Sequence, residues 1–138
     1  MSKLKGSDVS GEEKKDHLVY CRGYLAGQGL ADHWEPVVCR QDQLFIDLDS
    51  PEAHNIFHEQ WPLFLEHWPK STYLMTVSKS GNQHVIVKLG FNVTDAWRVA
   101  VQACLGSDLK RELLHLVSFE KQELNPIILF ERKVEVAI

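Results

Sequence analysis

The nine residues Gln43-Leu-Phe-Ile-Asp-Leu-Asp-Ser-Pro compress a strand, its end and the start of a helix, and they narrow the folds open to this chain. Successive side chains of a strand point to opposite faces, so Leu44, Ile46 and Leu48 share one face while Asp47 and Asp49 share the other. Ser50 suits a helix cap and Pro51 suits the first helical turn. One side of the strand therefore asks for a hydrophobic cover. The other offers two carboxylates a few ångströms apart, which would repel and raise one another's pKa unless a hard cation relieved them. The plainer reading is that the strand ends at Asp47, and that Asp49-Ser50-Pro51 only caps the helix.

The rest of the chain supplies that cover. Leu18, Tyr20, Cys21, Tyr24 and Leu25 recur at near-helical spacing, which predicts a helix from Gly11 to about Leu30. Residues 1–10 read as a flexible tail, and 11–138 as one domain. Pro36–Arg40 reads as a short strand before Gln43–Leu48. Ala53, Ile56, Phe57, Trp61, Phe64, Leu65 and Trp68 mark one stripe of the helix after Pro51, which Pro62 should kink or interrupt. Thr72–Ser78 and His84–Leu89 read as a hairpin around the turn residues Lys79–Gln83. Thr94 can cap a third helix with Trp97, Ala100, Val101, Cys104 and Leu105 on one face. Gly106 stops it, and Ser107 starts a fourth bearing Leu109, Leu113, Leu116 and Val117. Pro126–Val134 reads as a last strand. The order predicts an α+β fold, an antiparallel sheet with helices packed on one face.

Composition removes several alternatives. The net charge of −4 argues against a tight, sequence-independent nucleic-acid binder, although a local basic groove or bridging metal ions would remain compatible with phosphate. Three widely spaced cysteines suggest a reduced, cytoplasmic protein (host cytoplasm if viral) rather than a disulfide framework. No apolar run is long enough for a membrane span, and the polar start lacks a signal-peptide core.

Two further stretches carry chemistry. In Ser78-Lys79-Ser80-Gly81-Asn82-Gln83-His84-Val85-Ile86-Val87-Lys88, His84 and Lys88 share a face opposite Val85 and Val87. A small polar turn feeding such a strand suits a phosphate, with Ser78, Ser80, backbone amides and two cations as partners; a solvent-exposed hairpin is the plainer account. Ile127-Ile128-Leu129-Phe130-Glu131 places an acid at the end of a very apolar strand. Trp61, Trp68 and Trp97 fall on apolar stripes and read as core. His54 and His58 lack an evident third ligand, and Lys110-Arg111-Glu112 reads as an ordinary helix surface. Phosphate-loop and nucleophile-elbow motifs are absent.

Taken in order, the hDhD strand, helix, S-G-x-x-H hairpin, helices and hhh-acid strand resemble the archaeo-eukaryotic primase (primase-polymerase) superfamily over roughly residues 36–133. The run Trp97–Asp108 also looks like segments of phage-encoded primase-like proteins. The chain departs from the family pattern at Asn82, where a serine is common, and at Glu131, where an aspartate is usual. The resemblance implies an RRM-like palm in which Asp47, Asp49 and Glu131 bind two Mg²⁺ or Mn²⁺ ions. His84 would contact the incoming nucleotide, with Lys88, Ser78 and Ser80 nearby. It implies a nucleotidyltransferase of primase or DNA polymerase type, joining nucleoside triphosphates on single-stranded or primed DNA in replication or repair, with a replication protein such as a helicase as a possible partner. The alternatives are a non-catalytic accessory or inhibitor protein on the same palm, and a metal-dependent nuclease.

Overall fold

The structure, a computed structural model, describes residues 11–121 and 127–133. The tail expected over residues 1–10, and the outer ends of the last expected strand at Pro126 and Val134, lie outside the described residues. The elements run α1 (Gly11–Gly27), β1 (Trp34–Val38), β2 (Gln43–Leu48), α2 (Pro51–His67), β3 (Thr72–Val77), β4 (Gln83–Lys88), α3 (Asp95–Cys104), α4 (Leu109–Glu120) and β5 (Ile128–Arg132). Among the described residues no helix is long and apolar enough to cross a membrane. Cys21, Cys39 and Cys104 are all unpaired.

The α+β class is observed, but in place of one sheet there are two small antiparallel ones. The larger has the order β2-β4-β3, and the smaller pairs β1 with β5. Alternation assigns the faces of the larger sheet. Leu44, Ile46, Leu48, Val85, Val87 and Leu89 are buried on one side against Ala53, Phe57 and Phe64 of α2 and against Leu105. Each such side chain contributes about 1.5–3 kcal/mol on burial, so this face dominates the stability of the sheet. The opposite face was expected to be open. It is covered instead: Phe45 packs with Ile127 and Leu129, and Val37, Cys39, Ile86 and Phe119 pack around them. The apolar run ahead of Glu131 thus buries itself across β2 and β4 while pairing with β1 rather than joining their sheet.

The caps fall where the sequence signals place them. Ser50 Oγ accepts from the Ala53 amide at 3.1 Å, and Thr94 Oγ1 accepts from the Trp97 amide at 3.2 Å. Two boundary expectations need correction. Helix α2 is not interrupted at Pro62 but runs on to His67. Pro62 and His58 are both exposed, so the carbonyl four residues back that loses its amide partner can bond to water instead. The fourth helix is capped not by Ser107 but by Asp108, whose Oδ1 accepts from the Lys110 amide at 3.1 Å.

Strand β2 lies at the edge of its sheet, where outward N–H and C=O groups would be unpaired. Side chains and a loop amide from the α3–α4 unit seal that edge. Arg98 Nε donates to Gln43 O at 2.9 Å, and Phe45 N donates to Gln102 Oε1 at 2.7 Å. Arg111 Nη1 donates to Phe45 O at 2.8 Å. Asp47 N donates to Ser107 Oγ at 3.1 Å, while the Asp108 amide donates to Asp47 O at 2.9 Å. The two helices thus do for β2 what a neighbouring strand would do, and they fix the backbone that carries Asp47.

Candidate functional site

Three elements bring Asp47, His84 and Glu131 together. Register pairs Asp47 on β2 with His84 on β4, and Thr76 on β3 with His84 from the other side. Glu131 arrives from β5 on the overlying sheet. His84 Nδ1 donates to Glu131 Oε1 at 2.9 Å, and the other ring nitrogen faces Asp47 Oδ1 at 3.8 Å. The histidine therefore sits between two acids that are 84 positions apart in the chain. Both His84 and Glu131 are more than nine-tenths buried, at 6% and 7% exposure, whereas Asp47 keeps partial access to solvent.

The electrostatics of the cluster are uneven. Burial pushes the Asp47 carboxyl above its ordinary value of 3.8, and the charges of Asp108 and Asp49 push the same way. His84 and Arg111 pull it back only in part. Asp47 Oδ1 and Thr76 Oγ1 are buried without a hydrogen-bond partner among the described residues. A buried acceptor left in that state is costly, and a cation or a proton would relieve it.

The remaining expected site residues are distributed around this point rather than in it. Asp49, one residue past the end of β2, is exposed and lines a cavity of about 510 Å³ with His54, Asn55, Gly81 and Asn82. That cavity lies between the start of α2 and the β3–β4 turn, and Asp47, His84 and Glu131 are not part of its lining. Ser78 is buried in the turn, with its Oγ 3.3 Å from that of Ser80. Gly81, at φ +88, donates its amide to Ser78 O at 3.0 Å. Lys88 stands opposite Gln43 at the far end of β4, four residues and so roughly 13 Å along the strand from His84. Lys79 is engaged elsewhere, with its Nζ over the Tyr24 ring at 5.6 Å and the Phe130 ring at 5.7 Å.

Among the described residues, no three His, Cys, Asp or Glu side chains are grouped as a ligand set. The donor types still suit a hard cation: Asp47 offers an orphaned buried oxygen, and Asp49 an exposed carboxylate two residues on. Glu131 Oε1 is held by His84, which leaves its second carboxylate oxygen as the one it can offer.

A second set of residues at this site escaped the sequence reading. Glu112, expected on a helix surface, is 2% exposed. Its Oε1 accepts from Gln102 Nε2 at 2.8 Å, and its Oε2 accepts from Ser107 Oγ at 2.7 Å. Burial alone would raise this carboxyl. His115 (3.6 Å away), Arg111 and Ser107 outweigh burial and hold it below its ordinary value of 4.5. The available signal was the run Trp97–Asp108, which contains Arg98, Gln102 and Ser107. Arg98 and Gln102 are polar residues four apart on the side of α3 that its apolar stripe leaves over, and Ser107 follows in the loop after the helix.

Comparison with protein-family models, curated proteins and solved structures finds no match to this chain.

Proposed function

We propose that this chain is a palm-type nucleotidyltransferase of the primase-polymerase kind, acting on nucleoside triphosphates and a nucleic-acid template. One observation carries the reading. The acid of the first motif, the histidine of the second and the acid of the third meet on the side of the β2-β4-β3 sheet turned away from α2. The strand order β2-β4-β3, with α2 packed across one face, supports an RRM-like palm as the framework. In such a palm β5 would flank β2; here the α3–α4 unit occupies that edge.

Asp47 and Asp49 are the residues that would hold a divalent cation, with Glu131 as the third acid. When bound, such ions neutralise the triphosphate and lower the pKa of an attacking hydroxyl. His84, held at Nδ1 by Glu131, would offer a phosphate oxygen the ring nitrogen that faces Asp47 in this structure. The cavity beside Asp49 is the adjoining space with room for a nucleotide, and Asn55, Asn82 and Gln83 give it amide donors and acceptors.

Labelled nucleoside triphosphates, a primed single strand and Mn²⁺ provide the test. Extension is expected for the wild-type chain. Asp47→Ala and Asp49→Ala should each reduce it by more than the roughly 10–100-fold that loss of an outer-shell partner costs. Equal activity in wild type and both variants would reject the assignment, and shortening of the labelled strand would point to a nuclease.

The burial of the His84–Glu131 pair between the two sheets favours a second reading, a non-catalytic accessory protein on the same framework. A rise in Tm with Mn²⁺ that disappears in Asp47→Ala supports the first reading. No Mn²⁺ effect in either protein supports the second.

A further inference from the structure

Helix α4 is inside out. Its polar residues Glu112 and Ser118 are buried, while Leu109, Leu113, Leu116 and Val117 are 69%, 59%, 40% and 39% exposed. The sequence predicted these four as the helix's apolar stripe, and the sealing of β2 explains why they face outward. Arg111 and Glu112 are drawn to the strand edge and to Gln102, and rotating the helix to bury the leucines would orphan Phe45 O and the buried Gln102 amide. Spacing of 4, 3 and 1 residues puts the four side chains on one continuous strip. Their exposed area, on the order of 400 Å², is comparable with the largest apolar patch on a typical monomer, about 300–600 Å², which is often functional.

We infer that α4 pairs with α4 of a second copy of this chain, antiparallel across a two-fold axis near the middle of the helix. The pattern is self-complementary in that arrangement. Leu113 of one copy meets Leu116 and Val117 of the other. Exposed Lys110, near the start of the helix, meets exposed Glu120 at the partner's end, and the same contacts recur with the copies exchanged, as a two-fold interface requires. In a parallel pairing Lys110 would stand against the Lys110 of the other copy, while the far end carries both Glu120 and Lys121. The strip is roughly half of the about 800 Å² per partner in a standard interface, so the dimer is a reversible one. This inference is independent of the chemistry at Asp47.

Sedimentation velocity of the full chain, from low-micromolar to several hundred micromolar, reads the proposal directly. The expected result is a monomer that converts to a dimer with rising concentration. Leu113→Glu should abolish the dimer over that range without changing the far-ultraviolet circular dichroism. Lys110→Glu and Glu120→Lys should each weaken association, by roughly 2- to 10-fold, and the combination K110E/E120K should restore it. A monomer at every concentration would overturn the proposal, as would a dimer indifferent to Leu113→Glu. Charge reversals that add without rescue would also overturn it. So would a lower Tm for Leu113→Glu at unchanged monomer mass, because the strip would then be covered by the chain itself.

Discussion

Gln102 and Phe45 are 57 positions apart, yet the Gln102 side-chain oxygen accepts the Phe45 amide at 2.7 Å, with Gln102 itself wholly buried. The same side chain donates to Glu112, so one amide group satisfies a strand edge and a buried carboxylate together. Gln102→Leu preserves volume and removes both bonds. Leaving a backbone donor and part of a charged acceptor unsatisfied should cost about 2–4 kcal/mol in chemical denaturation. Gln102→Glu should be worse, because it sets a second carboxylate against Glu112. A loss below about 0.5 kcal/mol for Gln102→Leu would show that the edge is not sealed this way.

Much of this architecture was legible locally. Ser50 and Thr94 cap the helices they were expected to cap, and the alternation of Gln43–Leu48 and His84–Lys88 assigned both faces of the central sheet. What failed was long-range. An apolar stripe on a helix ordinarily turns inward, and only the unpaired edge of β2 reverses that preference in α4. No local pattern shows that a strand such as β5 will pair with β1 instead of β2. Within the site, Asp47, His84 and Glu131 were legible as strand-face residues. Arg111, Gln102 and Glu112 were not, because their partners are backbone groups far away in sequence.

The His84–Glu131 bond separates structure from chemistry. Glu131→Ala leaves His84 Nδ1 without its partner between the two sheets and should destabilise the fold by about 1–3 kcal/mol. It should also speed amide exchange in β1 and β5. Glu131→Gln keeps an acceptor oxygen at nearly the same place, so its stability loss should be under about 1 kcal/mol. Under the proposed function Glu131→Gln should nevertheless lose most Mn²⁺-dependent extension, because an amide oxygen is a poorer ligand than a carboxylate. Full activity in Glu131→Gln would remove this residue from the metal set.

Two carboxyls should give pH dependences of opposite sign. Glu112 is held below its ordinary 4.5, so its contribution to stability is present above that pH and is lost as pH falls through its folded value. Asp47 is raised above 3.8, so the folded state favours its protonated form. That contribution is present below 3.8 and is lost as pH rises through its folded value. Glu112→Gln should therefore lower Tm at neutral pH, with a deficit that shrinks below 4.5. Asp47→Asn should raise Tm at neutral pH in metal-free buffer, with an advantage that vanishes below 3.8. Thermal melts from neutral to acid pH measure both, and parallel pH profiles for the two variants would contradict the electrostatics described here.

Gly106 joins α3 to the loop that seals β2, and both its conformation and its surroundings demand glycine. Its φ is +98, and a Cβ there would stand 2.6 Å from the Ala53 carbonyl oxygen on α2. The close approach is backbone to side chain, so no rotamer change relieves it. Gly106→Ala must shift either α2 or the loop that carries Ser107 and Asp108, both bonded to Asp47. Left-handed strain alone costs about 1–3 kcal/mol, and the clash adds to it. The variant should lose at least about 2 kcal/mol and should exchange the Asp47 amide faster than wild type. Gly29, also at positive φ but with open space around its Cβ, provides the control: Gly29→Ala carries the conformational term only and should leave Asp47 exchange unchanged. If the two variants behaved alike, the close packing of this loop on α2 would not be what holds Asp47 in place.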